Sequence, residues 1–387
     1  MAKTDIHNKP FDEGTQAKLE LLRLYLKSWL PVFIRDSKFI YPTIEIYDYF
    51  AGEGQDSINN PGSPLIILDE IKPYCTNLIQ KKINLSLLFN DRDKSKHQKL
   101  EASKNIFLSR CSQDKKYGFC DKSNGIPNCP FKIKLESSDF SELFNSLKPT
   151  FIKNPSTPRF MFIDQYGIRY VTKTVFQDLI KLPKTDFLFF FSSSYLRRFK
   201  DLPEFKKYID DNRIIDFSDS KPTQSHRIVY NYFKSLVEKE SYFLGQFSIK
   251  KGSNVYGLIL GSNSHLGMRK FLDAAWKIDK FTGEANHDID GDAIRRGQLS
   301  FDFDNSANKI KKLYFYEQNL LLFLVESKLN RDVYVYSLEQ GINIPNTNDI
   351  LKKLELEDKI EVIGKDRNKG AFYLDFNPTK VIQIKTK

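Results

Sequence analysis

The chain has 387 residues, of which 40% are hydrophobic and 14% aromatic; this is too long for one small core and too apolar for disorder, and predicts one large domain followed by a smaller one. Lysine and arginine total 60 against 49 acidic residues, a formal charge of +11, which favours polyanionic partners such as nucleic acid. No apolar run approaches the roughly 18 residues of a membrane span, Met1 to Asp5 lead into no apolar segment, and the cysteines are too sparse for a disulfide framework; a reducing cytoplasm is the expected setting.

Leu19, Leu22, Leu26 and Leu30 fall at helical spacing, with Tyr25 and Trp29 adding bulk, and predict an amphipathic helix ending near Pro31. Ile44 to Asp48 reads as a strand entering the loop Ala51-Gly52-Glu53-Gly54. Ser63 and Pro64 then look like the cap and first turn of a helix. A second strand, Ile83 to Phe89, ends at Asn90-Asp91, and a helix follows through Lys94 to Leu100. Residues 110–130 read as loop. Phe131 to Leu135, Phe160 to Ile163 and Phe187 to Phe191 are further strands, the last two apolar on both faces and so central. From Leu196 to Tyr232 the pattern is helical, basic and aromatic. Tyr242 to Ile249 and Val255 to Leu260 bracket Lys251-Gly252-Ser253-Asn254, a hairpin signal. The sum is a mainly parallel α/β sheet of seven strands with one antiparallel edge.

The second unit begins after about Gly291. Three helices are expected at Tyr316 to Lys328, Val333 to Glu339 and Thr347 to Glu357. Ile360 to Val362 and Phe372 to Leu374 then bracket a turn at residues 365–370, which completes a winged helix. The expected organisation is a Rossmann-like domain over 1–300, with a helical insertion near 196–240, and a winged-helix domain over 301–387.

The chemistry concentrates at strand ends. In Asp48-Tyr49-Phe50-Ala51-Gly52-Glu53-Gly54, glycine lets the backbone approach a ligand closely. Asp91 ends the next strand, where a carboxylate can accept both ribose hydroxyls of a nucleoside. Asp91 follows Gly54 by 37 residues, whereas a dinucleotide fingerprint expects about 20, so the spacing argues against a nicotinamide cofactor. Asp139 either accepts an adenine amino group or caps the helix containing Ser141 and Glu142. Asp164-Gln165-Tyr166-Gly167 ends the fourth strand, where an acid and an aromatic ring can hold a planar amine. Cys111, Cys120 and Cys129 lack the close pairing of zinc knuckles and read as ordinary loop cysteines, so no metal is expected. Tyr195, Arg197, Arg198, Phe199, Lys200, Lys206, Lys207 and Tyr208 form either a basic aromatic surface for nucleic acid or an amphipathic helix with its rings inward. Lys352, Lys353, Lys365, Arg367 and Lys369 lie on the third helix and wing, the parts such a motif offers to DNA.

Four stretches together resemble the three-Cys-motif partner (TcmP) proteins: Phe11 to Thr15 with Lys18, Leu19, Tyr25 and Trp29; Asp48 to Gly54 with Gly62-Ser63-Pro64; Phe162 to Gly167; and Gly267 to Trp276 with Gly283, Asn286 and Asp288. The resemblance spans about residues 11–300. It implies a class I methyltransferase sheet, S-adenosylmethionine as cofactor, and a radical-SAM-like three-Cys-motif protein as partner. Carried over, it places the cofactor on Asp48, Ala51, Gly52, Gly54, Asp91 and Asp139, and the reaction centre on Asp164, Gln165 and Tyr166. Related amino-methyltransferases carry proline where this chain has Gln165. Proline aims a backbone carbonyl at the target amine, so the sequence predicts a looser centre here. The expected activity is methyl transfer to DNA or RNA, with a non-catalytic nucleic-acid adaptor as the alternative.

Overall fold

The computed structural model describes residues 9–35, 39, 41–113, 131–203, 208, 215–238, 242–292, 295, 297, 309–364 and 371–387, with the backbone alone at 111–113. Cys111, Cys120, Cys129, Lys206, Lys207, Lys365, Arg367 and Lys369 therefore lie outside what can be said of side chains.

Seven strands form one sheet: β1 (Thr43–Asp48), β2 (Asn84–Asn90), β3 (Phe131–Glu136), β4 (Arg159–Ile163), β5 (Thr185–Phe191), β6 (Phe243–Lys251) and β7 (Asn254–Ser262). Their order is β3-β2-β1-β4-β5-β7-β6. β7 runs antiparallel to both neighbours, and every other pairing is parallel. The predicted hairpin is present, turning at Gly252 with φ +58°. β7 lies inside the sheet and β6 forms the edge.

Strand alternation sorts the side chains into two layers. Ile44, Ile46, Leu85, Leu87, Phe89, Phe160, Phe162 and Leu188 face one core. Tyr47, Leu88, Met161, Ile163, Phe187, Phe189 and Phe191 face the other. The first layer is closed by the helix Glu13–Ile34, which contributes Leu22, Leu26, Trp29 and Leu30. Buried Asp186 on β5 anchors that helix: its Oδ2 accepts from the Tyr25 hydroxyl at 2.9 Å and the Trp29 Nε1–H at 2.8 Å. A β-carbon at Gly267 would lie 2.3 Å from Ser262 Oγ and 3.0 Å from Asp186 Oδ2, which explains glycine there. The second layer is closed by the helices Phe140–Lys153, Lys173–Lys181 and Ser225–Ser235.

Beyond residue 309 the helices Lys311–Phe323, Asn330–Glu339 and Ile344–Leu356 accompany β8 (Lys328–Leu329), β9 (Ile360–Ile363) and β10 (Gln383–Thr386). These strands form an antiparallel sheet in the order β8-β10-β9. Here one expectation is corrected: the partner of β9 is β10 and not Phe372 to Leu374. Buried Asn330 donates its side-chain N–H to the carbonyls of Phe372, Tyr373 and Lys380 at 2.9–3.2 Å. Tyr373 has φ +51°. Both features break a ladder there, although Phe372 and Leu374 still enter the core.

Candidate active site at the carboxyl ends of the strands

The strand order reverses between β1 and β4, and a doubly wound sheet opens its ligand crevice at that point. Asp48 closes β1 there and Asp164 follows β4. Asp91, just past β2, reaches in from the neighbouring strand. The sheet thus brings together three of the acids singled out in the sequence.

Asp48 is fully buried. Its Oδ1 accepts from the Phe50 N–H at 3.3 Å, while its Oδ2 has no well-formed hydrogen bond. Burial pushes its carboxyl up to about 7; the neighbouring Ser63 hydroxyl opposes the rise, and the charges of Asp164 and Asp91 add to it. A buried carboxyl oxygen without a partner is costly in a folded protein. It is a natural acceptor for a cationic or N–H-bearing ligand.

Asp91 is half-buried. Its Oδ2 accepts from the Gly52 N–H at 3.1 Å and its Oδ1 from the Asp93 N–H at 2.9 Å. Each oxygen keeps a lone pair, so the carboxylate is held in place yet able to accept from a pair of hydroxyls. Gly52 and Gly54 adopt φ +62° and +87°, the left-handed region that favours glycine. The Ala51 N–H donates to the Asn90 carbonyl at 2.8 Å, tying the loop to the end of β2. Gly54 also has a packing role. A β-carbon there would press on Ser103 and Leu100 at 3.1 and 3.2 Å, so this glycine admits the Lys94–Gln113 helix. Asp139 caps the Phe140–Lys153 helix through the Ser141 N–H at 2.9 Å and pairs with Arg92 at 3.3 Å.

Around Asp164 the structure adds a residue that periodicity alone did not mark as part of the site. Lys18 Nζ lies 2.5 Å from Asp164 Oδ2 and 4.8 Å from the centre of the Phe190 ring. Its side chain is 9% exposed. The available signal was its place in the second turn after the Asp12 cap, on the buried face of a helix. Gln165 does not reach the crevice as a free amide. It is buried, its Oε1 accepts from the Tyr170 and Val171 N–H groups at 2.9 and 3.0 Å, and its Nε2 donates to the Phe190 carbonyl at 3.1 Å. These bonds supply by side chain the restraint that proline would supply by its ring, which corrects the expectation of a looser centre. Tyr166, by contrast, is 92% exposed and offers a bare aromatic face beside Asp164.

Two cations of the basic aromatic stretch are engaged within the fold. Arg197 donates to the Ser220 side chain and carbonyl and to the Lys221 carbonyl. Arg198 donates to the Ser194 carbonyl and to Asn254. On the third C-terminal helix, Lys353 pairs with Glu317 at 2.7 Å and Lys352 with Asp349 at 3.4 Å. A cavity of about 360 Å³ lies away from the strand ends, lined by Arg227, Gln246, Glu284, Lys312 and Tyr316. Its buried charges are mutually paired. Among the described residues no helix is long and apolar enough to cross a membrane, and no group of acids, histidines and cysteines is arranged to hold a metal.

No family model matches the chain, and no curated protein matches it. Solved structures similar to it include the Trm1 protein of Pyrococcus horikoshii in complex with S-adenosyl-L-methionine. That likeness has 12% identity over 98% of this chain and 92% of that one, at a TM-score of 0.39. The O-methyltransferase TomG of Streptomyces achromogenes, in complex with SAM, is similar at 12% identity over 67% of this chain and 98% of that one, with a TM-score of 0.32. An O-methyltransferase of Bacillus cereus in complex with SAH is similar at 10% identity over 67% of this chain and 84% of that one, also at 0.32.

Proposed function

We propose that this chain binds S-adenosylmethionine in the β1–β4 crevice and acts as a methyltransferase on nucleic acid. The observation that carries the reading is the convergence of Asp48, Asp91 and Asp164 at the switch point, with a buried Asp48 oxygen lacking a proper partner. The residues present fit the cofactor. Asp91 accepts from the ribose hydroxyls, Asp48 from the ammonium of the methionine end beside Ala51 and Gly52, and Asp139 from the adenine amino group. The bound cofactor supplies an electrophilic methyl group. Asp164 accepts the N–H of the acceptor amine, and Tyr166 stacks on its ring. Gln165 works from behind, fixing the loop that carries both.

The nucleic-acid acceptor is supported by the charge of +11 and by the exposed Tyr166 ring. In this reading the C-terminal unit is a winged helix, the chain is a three-Cys-motif partner protein of the cytoplasm, and the partner is a radical-SAM-like protein. A second reading, a non-catalytic adaptor between nucleic acid and that partner, is favoured by one observation: Lys18 already engages an Asp164 oxygen. Calorimetric titration with S-adenosylmethionine tests the cofactor site, and absence of binding overturns both readings of the crevice. Duplex DNA and RNA binding measured at two salt concentrations tests the polyanion; an affinity indifferent to salt removes phosphate contact from the account.

A further inference from the structure

We infer that Lys18 is the counter-ion of the reaction centre: it cancels the charge of Asp164, so that the crevice holds a cationic cofactor and its neutral product with comparable affinity. The inference rests on the S-adenosylmethionine reading above and concerns what that reading leaves open, the balance of charge around the sulfonium.

Without Lys18 the crevice would hold the charges of Asp91 and Asp164 uncancelled. Asp48, Asp91 and Asp164 are near enough that the latter two disturb the ionisation of the first. The other ion pairs nearby cancel within themselves. Glu53 of the glycine loop is paired with Lys99 at 2.8 Å, Asp139 with Arg92 at 3.3 Å, and Asp12 with Lys251 at 2.5 Å. Lys18 faces Asp164 directly and is almost fully covered. A lysine so buried is tolerable only beside an opposite charge, and the Phe190 ring adds attraction on its other side. Its placement is built in, because Tyr25 and Trp29 clamp the same helix to Asp186 on β5.

S-adenosylmethionine carries a sulfonium charge that S-adenosylhomocysteine lacks. A bare Asp164 carboxylate attracts the first and is indifferent to the second. A neutralised Asp164 discriminates little, while its remaining lone pairs stay available to the acceptor. Charge–charge attraction over several ångströms in a partly solvated site is worth on the order of fivefold in affinity.

The experiment measures the affinities of both compounds by calorimetry at low salt, for wild type, Lys18→Met, Asp164→Asn and the double variant, each checked for native circular dichroism. Lys18→Met is expected to raise the ratio of S-adenosylmethionine to S-adenosylhomocysteine affinity about fivefold. Asp164→Asn, which strands the lysine charge, is expected to lower it by a similar factor, and the double variant to return near wild type. A purely structural role for Lys18 changes both affinities together and leaves the ratio fixed, and that result overturns the inference alone. Should Lys18→Met fail to fold, Lys18→Gln, which removes the charge and keeps a polar side chain, is expected to raise the ratio likewise, and an unchanged ratio there overturns the inference. A wild type that binds neither compound overturns the cofactor reading, and the inference falls with it.

Discussion

Gln165 makes three hydrogen bonds, the one from the Val171 N–H fully buried, that tie the loop after β4 to β5 and to its own far end. Replacing it by methionine keeps the volume and removes the bonds. The Tyr170 and Val171 N–H groups and the Phe190 carbonyl are then left without partners, at about 1–3 kcal/mol each when fully buried. Val171 is 1% exposed, whereas Tyr170 and Phe190 are half-buried and reachable by water. A total of about 2–4 kcal/mol follows. Urea unfolding with an unchanged m-value measures it. Gln165→Ala should cost the same plus a cavity contribution. Gln165→Pro forfeits the same three bonds and should destabilise the loop. If Gln165→Met lies within about 0.5 kcal/mol of wild type, the ordinary range for a surface change, the loop is not held by this side chain and the reasoning fails.

Asp48 sits at about 7 in the folded protein, above the carboxylate norm of about 4. The folded state therefore holds this proton more tightly, and stability falls as pH rises from about 4 through 7, by at most about 4 kcal/mol. Asp48→Asn should abolish that slope in urea unfolding at pH 5 and pH 8, and cofactor binding near pH 6 should release a proton, read as a buffer-dependent calorimetric heat. Asp91→Ala should weaken S-adenosylmethionine at least tenfold, the equivalent of about 1.5–3 kcal/mol for a bond to a charged group, while the chain stays folded; unchanged affinity would make Asp91 a loop anchor for Gly52 and Asp93 only. Arg227→Met should cost about 3–5 kcal/mol, because Glu284 is buried and its carboxyl, which burial alone would raise, is held down at about 2 by Lys312 and Arg227; a loss under about 1 kcal/mol on urea unfolding would show the pair to be dispensable.

Sequence reading succeeded where one local signal and one physical cause coincide. Apolar runs at Phe160 to Ile163 and Phe187 to Phe191 have to be central strands, because burial on both faces leaves no polar alternation. Gly252 between two alternating runs has to be a hairpin. The positive φ of Gly52 and Gly54 was likewise legible, whereas the packing of Gly54 against Leu100 and Ser103 was not. What the sequence hid is long-range pairing. Lys18 and Asp164 are 146 positions apart, and no period links them. The bonds of Gln165 are local in the chain for Tyr170 and Val171, yet glutamine carries no pattern that announces them. In the C-terminal unit, Phe372 to Leu374 has the composition of a strand, and buried Asn330 from a distant helix captures its carbonyls instead.

The C-terminal unit was legible as a separate cluster of elements, but its energetics are joined to those of the sheet. Lys312 from its first helix donates to the Thr282 and Gly341 carbonyls at 2.8 and 3.2 Å and faces Glu284 at 3.4 Å. Trp276 Nε1 donates to the Gly341 carbonyl at 3.2 Å, and His265 shares a hydrogen bond with the Tyr334 hydroxyl at 3.0 Å. One apolar cluster runs from Met268, Leu272 and Trp276 into Tyr316, Leu320, Val333 and Leu338. Cutting the chain near Ile310 would strip Lys312 from buried Glu284 and expose that apolar face to water, at a cost comparable with the stability of a whole domain. A truncated protein that binds nucleic acid poorly would then report unfolding as readily as a lost contact. Charge changes at exposed positions such as Lys352, whose partner Asp349 is itself exposed, leave both cores intact. They separate phosphate contact from folding, because each contributing cation removed lowers the salt dependence of binding by about one unit of slope while the fold is unchanged.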